Sequence, residues 1–220
     1  MKFTELVRLW KDNPTEYHRM NDCKLDVKLW AISHGVPVPK LYWAGMSNNI
    51  PNWLPEQFVL KPNIGHSSRQ IYVNPKIEDV HFSRPEMVII EEYIPTGHID
   101  YKFWMFHGQV ITIQVIERSS HRMRFYNELW EPGLVTRKNI SLDEKRPKPK
   151  SLEDMIHIAK KLSCVYPFFV RIDLFDGPYF CELTYQPNGL HNIDSKADVA
   201  IGKIITAGAP ICTSRLIRFL

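Results

Sequence analysis

The stretch FFVRIDLFDGPYFCELTYQPNGL, residues 168–190, has the pattern of two β-strands joined by a tight turn. We predict strands at 168–175 and 179–184, because an Asp-Gly turn between two apolar runs is a strong hairpin signal. Three charged residues interrupt the apolar runs: Arg171, Asp173 and Glu182. Since side chains alternate along a strand, Arg171 and Asp173 share a face, and Asp173 is expected opposite Glu182.

Two interpretations of these charges are open. Facing carboxylates repel each other, and a divalent cation such as Mg²⁺, which prefers hard oxygen ligands, would relieve that repulsion. Alternatively, the residues form an ion pair on the solvated outer face of an antiparallel sheet. The hairpin sequence alone gives the two interpretations equal weight.

The composition describes an ordinary globular protein. The chain has 220 residues, enough for one large domain or two small lobes, with 44% hydrophobic and 24% charged residues. Its net charge of +4 is too diffuse to indicate a nucleic-acid partner, and it fits a phosphorylated or carboxylated small ligand. The 4 cysteines form no C-x-x-C pair, so neither a zinc site nor a disulfide scaffold is predicted. We expect a reduced, cytoplasmic setting, since no apolar run has the length of a membrane span.

The first part of the chain predicts helices at 3–12 and 23–34, followed by an edge strand at 36–44. In the second helix, three apolar residues at helical spacing are expected to face the core: Leu25, Leu29 and Ile32. These elements are expected to pack on the first lobe of the protein.

The middle of the chain alternates strands with polar loops. Strands are predicted at 57–61 and 71–73, with a polar loop between them whose backbone N–H groups could hold phosphate. The local pattern by itself favours an ordinary hairpin with a polar tip. Further strands are predicted at 87–91, 100–105 and 109–116, and helices at 152–163 and 197–206. The arginines near residue 120 are typical of a solvated face, but at the mouth of a cleft they would bind anions.

Six stretches taken in order carry a family resemblance: FVLKP (58–62), NIGHSS (63–68), VIIEEYI (88–94), DYKFWMFHG (100–108), VRID (170–173) and CELTYQPNG (181–189). Each motif is weak alone, but six in this order are specific. Together they resemble the ATP-grasp superfamily, and within it the small TupA-like branch associated with teichuronopeptide biosynthesis. The resemblance covers residues 20–200.

The resemblance implies an α+β fold, in which two lobes with antiparallel sheets clasp ATP between them. It divides the chain into an N-terminal helical segment with an edge strand (1–50), a small lobe with its hinge (51–98) and a large lobe (99–220). The N-terminal segment is too short for the separate α/β domain that many ATP-grasp ligases carry. A partner, or a homodimer, is therefore an expected way to complete the cleft.

The resemblance also implies a role for each matching residue. Lys61 would contact the phosphates of ATP, which the following loop would cover through Asn63, Gly65, Ser67 and Ser68. The hinge would bind adenine through Glu91, Glu92, Tyr93 and Ile94, and the sugar side of ATP would meet Asp100 and Lys102. Mg²⁺ would be held by Asp173, Glu182 and Thr184, the last standing where asparagine is common. Arg171 would stabilise the transferring phosphoryl group, and the substrate would be bound by His66, Arg118, Arg122, Arg124 and Asn188.

The implied activity is ATP-dependent ligation of a carboxylate to an amine through an acyl phosphate, with Mg²⁺ as cofactor. The implied substrates are a small carboxylate and an amine, with a saccharide or peptide as acceptor in cell-surface polysaccharide or peptide biosynthesis. Two alternatives stay open: a kinase acting on a small molecule or sugar, and a non-catalytic nucleotide-binding protein. A protein-kinase catalytic loop, H-R-D-x-x-x-x-N, is missing, as is the P-loop G-x-x-x-x-G-K-[ST].

Overall fold

Two antiparallel sheets organise the protein in a computed structural model that describes residues 1–64, 71–95, 99–117, 122–133, 146–186 and 193–207. The small sheet contains β1 (Leu41–Met46), β2 (Phe58–Pro62), β3 (Tyr72–Val73) and β4 (Met87–Glu92), in the spatial order β1-β4-β2-β3. The large sheet contains β5 (Ile99–Phe106), β6 (Gln109–Glu117), β7 (Arg122–Tyr126), β8 (Val170–Phe175) and β9 (Tyr179–Thr184), in the order β7-β6-β5-β8-β9.

Helices cover the large sheet. They are α1 (Phe3–Asp12), α2 (Glu16–Met20), α3 (Lys24–Ser33), α4 (Leu152–Val165) and α5 (Ser195–Ala207). The four helices predicted from sequence are present, with ends shifted by at most two residues. Helix α2 was not predicted, because its five residues are too few to display a helical period. Among the described residues, no helix combines the length and apolar character needed to cross a bilayer.

The N-terminal helices pack on the large lobe, and the expectation that they pack on the first lobe is wrong. Phe3 and Val7 of α1 join Trp104 and α5 in one core cluster, on one face of the large sheet. Thr4 fixes this contact, since its backbone N–H and its hydroxyl each donate to the Asp198 carboxylate at 2.9 Å. Strand β1 is the part of this segment that joins the small sheet, and the domain boundaries at residues 50 and 98 stay a prediction.

Helix α3 presents a different face to the core from the one predicted. It buries Val27, Lys28 and Ala31, whereas Leu29 and Ile32 are 51% and 48% exposed. Apolar residues occur around most of this helix, so their spacing alone does not select one face. Packing against the second core cluster, which lies under α4 on the other face of the large sheet, selects Val27 and Ala31. This orientation carries the lysine of the same face inward.

Candidate active site

The hairpin of β8 and β9 has the register that its sequence predicts. Asp173 stands opposite Glu182, and Arg171 stands opposite Thr184. The turn needs Gly177, whose φ of +102° is rarely accessible to residues with a side chain. Because directly opposed residues share a face of an antiparallel pair, all four side chains belong to one face of the large sheet.

Four side chains on this face form what we call the large-lobe cluster: Lys102, Arg171, Asp173 and Glu182. The Arg171 guanidinium donates to both Asp173 oxygens, at 2.6 Å from Nε and 2.8 Å from Nη2, and Nη2 also donates to Glu182 Oε1 at 3.0 Å. Lys102 Nζ pairs with Asp173 Oδ2 from the neighbouring strand β5. Arg171 and Asp173 are only 8% and 3% exposed, so the interpretation as a solvated outer face is wrong.

The two carboxylates of this cluster differ in proton affinity. Burial alone would raise the pKa of Asp173, but the charges of Arg171 and Lys102 lower it below its usual value. Partial burial and the facing Asp173 carboxylate instead raise the pKa of Glu182. Asp173 is thereby held ionised, and Glu182 is the member that accepts a proton more easily.

The cluster fits a magnesium ion that is completed by other ligands. Within the described residues, no three acidic, histidine or cysteine side chains converge as a protein-only metal cage. Mg²⁺ is usually bound through one or two carboxylates together with water and substrate phosphates, which does not require such a cage. Asp173 and Glu182 already share one positive group, the Arg171 guanidinium, so their oxygens converge on a cation. Thr184 lies on the same face, two residues beyond Glu182.

A second group of charges, the small-lobe cluster, consists of Lys28, Lys61 and Glu91. Lys61 of β2 lies 2.5 Å from Glu91 Oε1, and Lys28 of α3 lies 2.7 Å from Glu91 Oε2. All three residues are more than nine-tenths buried. Lys28 Nζ also donates to the Pro39 carbonyl at 2.9 Å. One carboxylate thus bridges two ammonium groups that come from different elements.

The pKa directions in the small-lobe cluster follow from this sharing. Burial would lower the pKa of Lys61, but Glu91 outweighs it and raises the value to about 12. Burial dominates at Lys28, whose pKa is lowered although Glu91 acts in the opposite direction. Both lysines lower the pKa of Glu91 against the effect of its burial. Helix α3, which carries Lys28, packs against β9, which carries Glu182, so the two clusters lie near each other. In agreement with this, Glu182 contributes to raising the pKa of Lys61.

Helix α3 contributes lysines that the sequence reasoning missed. Burial lowers the pKa of Lys24, while the Glu182 carboxylate acts in the opposite direction, so Lys24 also lies near the clusters. Lys24 and Lys28 stand four residues apart, which places them on one face of the helix. The four-residue spacing indicates that the two lysines act together, whereas the apolar residues of the helix gave no indication of a role for either.

Asn63 has a structural contact that its predicted role did not include. Its side-chain oxygen accepts from the backbone N–H of Leu25 at 2.9 Å, and its carbonyl accepts from the N–H of Lys24 at 2.9 Å. Its side-chain amide lies 3.2 Å from the Cys23 sulfur. Asn63 therefore joins the end of β2 to the start of α3. Its predicted contact with phosphate stays a prediction.

The predicted hinge and ribose residues lie at the ends of β4 and β5. Glu92 N–H donates to the Lys40 carbonyl at 2.8 Å, so this group is not available to a nucleotide. Tyr93 and Ile94 follow directly after β4. Asp100 lies on the Lys102 face of β5, with 3.6 Å between Asp100 Oδ2 and Lys102 Nζ.

The structure separates two predicted substrate residues from the large-lobe cluster. Arg124 of β7 stands opposite Val115 of β6, and Arg122 stands opposite Glu117. Val115 belongs to the core under α4, so both arginines stand on the face of the large sheet that α4 covers. Arg124 lies over the Tyr126 ring, 5.7 Å from its centre. Lys102, by contrast, stands opposite Gln114 on the other face. The remaining predicted loop and substrate residues lie outside the described part of the chain: Gly65, His66, Ser67, Ser68, Arg118 and Asn188.

A sequence model of the family described as TupA-like ATP-grasp matches residues 83–206. The chain belongs to the TupA-like ATP-grasp family. The matched range contains the large-lobe cluster and Glu91, while Lys28 and Lys61 lie before it. A search of curated protein sequences found no significant match.

Solved structures share the ATP-grasp fold with this TupA-like chain at low sequence identity. D-cycloserine synthetase DcsG matches with a TM-score of 0.53 and 14% identity, over 93% of this chain and 78% of its own. D-alanine–D-alanine ligase from Bacillus anthracis, complexed with ATP, matches with a TM-score of 0.52 and 19% identity, over 86% of this chain and 60% of its own. ATP-grasp ligase PsnB, complexed with a phosphomimetic variant of its minimal precursor, Mg and ADP, matches with a TM-score of 0.52 and 14% identity, over 93% of this chain and 66% of its own. The chain thus spans less than two thirds of the length of that D-alanine–D-alanine ligase, and identities of this size show the fold alone.

Proposed function

We propose that this protein is an ATP-dependent carboxylate–amine ligase, which activates a carboxylate as an acyl phosphate and joins it to an amine. The observation that carries the proposal is the packing of α3 against β9, which brings two complementary charged clusters close to each other. One has more ammonium groups than carboxylates and suits phosphate oxygens, and the other offers two carboxylates to a metal ion. Similar folds are described as ligases, one with ATP and another with Mg and ADP, which supports the same assignment.

The first proposed step is phosphoryl transfer. A carboxylate oxygen of the substrate attacks the γ-phosphorus of ATP, the bond to the bridging oxygen breaks, and ADP leaves with that electron pair. Lys61 holds phosphate oxygens, and Arg171 stabilises the negative charge of the transferring group. Positioning and electrostatics of this kind provide most of the rate in phosphoryl transfer.

The second proposed step forms the amide. The amine nitrogen attacks the carbonyl carbon of the acyl phosphate, inorganic phosphate leaves, and the nitrogen loses a proton. Bound Mg²⁺ would neutralise charge on the phosphate oxygens, and Asp173 and Glu182 are the residues that would hold it. A free amine is itself a nucleophile, so the chemistry requires no serine or cysteine nucleophile.

The proposed substrates are a small carboxylate and an amine, the acceptor being a saccharide or a peptide. We place the reaction in the cytoplasm, in the biosynthesis of cell-surface polysaccharides or peptide products. The family resemblance is the support for this context.

The test is ADP release from MgATP, measured by a coupled assay across pairs of candidate acids and amines, with mass spectrometry of the products. A ligase releases ADP and inorganic phosphate only when both substrates are present, and the product mass equals acid plus amine minus water. A phosphorylated product formed without amine would instead identify a kinase. Binding of ATP without turnover of any pair would favour the non-catalytic alternative.

A further inference from the structure

The side chain of Glu91 lies between two buried lysines from separate elements. Its Oε1 contacts Lys61 at the end of β2, and its Oε2 contacts Lys28 in α3. The side chains of Glu91, Lys61 and Lys28 are 3%, 8% and 5% exposed, so water screens their charges poorly. The predicted adenine contact of the hinge does not account for this side-chain arrangement.

The two ammonium groups would be unfavourable neighbours without the carboxylate. Burial disfavours the charged form of a lysine, and a second positive charge nearby disfavours it further. Both effects act here, because burial lowers the pKa of Lys28 and Lys61 lowers it as well. Glu91 opposes both effects at Lys28, and it opposes the effect of burial at Lys61. Its loss would shift each lysine towards the neutral form as the pH rises through the weakly alkaline range.

The geometry leaves capacity for a ligand. An ammonium group has three N–H donors. Among the described residues, Lys28 donates one hydrogen bond, to the Pro39 carbonyl at 2.9 Å, and forms an ion pair with Glu91 Oε2 at 2.7 Å, an oxygen that accepts no hydrogen bond. The cluster also retains one net positive charge, since two ammonium groups share one carboxylate. Both properties suit a phosphate oxygen that arrives from the cleft.

We propose that the Glu91 side chain is a positioning residue, which fixes the separation of Lys28 and Lys61 and keeps both charged, so that the pair acts as a phosphate clamp. This inference rests on the proposed nucleotide-binding function and extends it to Lys28, which no motif identified. Glu91 itself stays on the protein side of the clamp and contacts the lysines rather than the phosphates.

The experiment measures ADP binding by calorimetry between pH 6.5 and 9.5, without metal, for the wild-type protein and the Glu91→Gln variant. The wild-type affinity is expected to be nearly constant up to pH 8.5. The variant is expected to bind about tenfold more weakly at pH 7 and to lose further affinity as the pH rises, because its lysines lose their protons earlier. A purely structural role for Glu91 would not shift the pH at which affinity falls.

Two further variants separate charge from spacing. Glu91→Asp keeps the charge on a shorter arm, so it is expected to retain the wild-type pH profile with reduced affinity. Lys28→Met leaves Lys61 paired with Glu91, so it is expected to fold and to bind ADP about tenfold more weakly. Glu78→Gln, which removes an exposed carboxylate of the same lobe, is the matched control and should bind as the wild type does.

The outcomes distinguish this inference from the function on which it rests. If wild-type protein binds no ADP, the nucleotide function fails and the clamp with it. If wild-type protein binds ADP, and folded Glu91→Gln matches it in affinity and in pH profile, the clamp alone is overturned. If Glu91→Gln does not fold, Lys28→Met decides, since unchanged ADP affinity in that variant removes Lys28 from the clamp.

Discussion

The large-lobe cluster and the small-lobe cluster balance buried charge in opposite ways. In the large lobe, one guanidinium joins two carboxylates, and Lys102 brings the cluster to neutrality. In the small lobe, one carboxylate joins two ammonium groups, and a positive charge is left over. Apart from Glu182, the residues of both clusters are buried. In each cluster, removal of the shared group, Arg171 or Glu91, would leave two like charges facing each other.

This difference matches the two requirements of a metal–nucleotide site. Phosphates need surplus positive charge, which the small-lobe cluster provides. A metal ion needs carboxylates, and the large-lobe cluster contains two of them, Asp173 and Glu182. Variants that alter one cluster at a time test this match.

Removing the central carboxylate of the large-lobe cluster should have the strongest consequence. Asp173→Asn is expected to reduce Mg²⁺-dependent ADP release by about 10³-fold, because a metal-holding charge is lost. It should also destabilise the fold by about 3 kcal/mol, since two buried cations lose their partner. A coupled ADP assay and urea unfolding measure the two effects.

Glu182→Gln is the matched comparison within the same cluster. Its side chain is 42% exposed, so the stability loss should stay below about 1 kcal/mol, while the loss of ADP release should be similar. Wild-type turnover in either folded variant would remove the metal assignment.

The small-lobe cluster is tested by Lys61→Met. The variant keeps the Lys28–Glu91 pair, so its fold should persist, and ADP affinity should fall by about tenfold to a hundredfold because one phosphate contact is lost. Calorimetry measures the affinity. An unchanged dissociation constant would exclude Lys61 from the phosphate site.

The junction that brings α3 to the small-lobe cluster is tested by Asn63→Ala. The backbone N–H of Leu25 loses its partner, so the free energy of unfolding should fall by about 2 kcal/mol. ADP affinity of the folded protein should change less than it does in Lys61→Met. A loss of affinity equal to that of Lys61→Met would support the predicted contact between Asn63 and the phosphates.

The smallest effect is expected on the opposite face of the large sheet. Arg124→Ala removes an interaction with the Tyr126 ring, which costs about 0.5 kcal/mol of stability. Because this position shares its face with Val115 and not with Asp173, ADP affinity should stay at the wild-type value. Once an acid substrate is known, a raised KM for that acid would support the original prediction that Arg124 binds substrate.

Local sequence pattern was sufficient for the hairpin and for the other strands except β7, whose charged sequence was interpreted as a solvated face. The Asp-Gly turn and the alternation of side chains fixed the opposition of Asp173 and Glu182 before any tertiary contact was considered. The ordered motifs also led to the ATP-grasp family, which the match at residues 83–206 confirms. The same reasoning failed for α3, because its apolar residues fit more than one buried face. Their spacing therefore did not predict that Lys28 is buried.

By itself, the sequence determined the elements whose causes are local: the hairpin register and the helices with a clear period. The tertiary structure alone decided which cations meet which carboxylates. Lys28 comes from a helix, and Lys61 and Glu91 come from two strands that are paired in the sheet but distant in sequence. Lys102 reaches Asp173 across 71 residues. Buried charges are stable only beside a partner, and the identity of that partner depends on packing between distant segments, which no local pattern encodes.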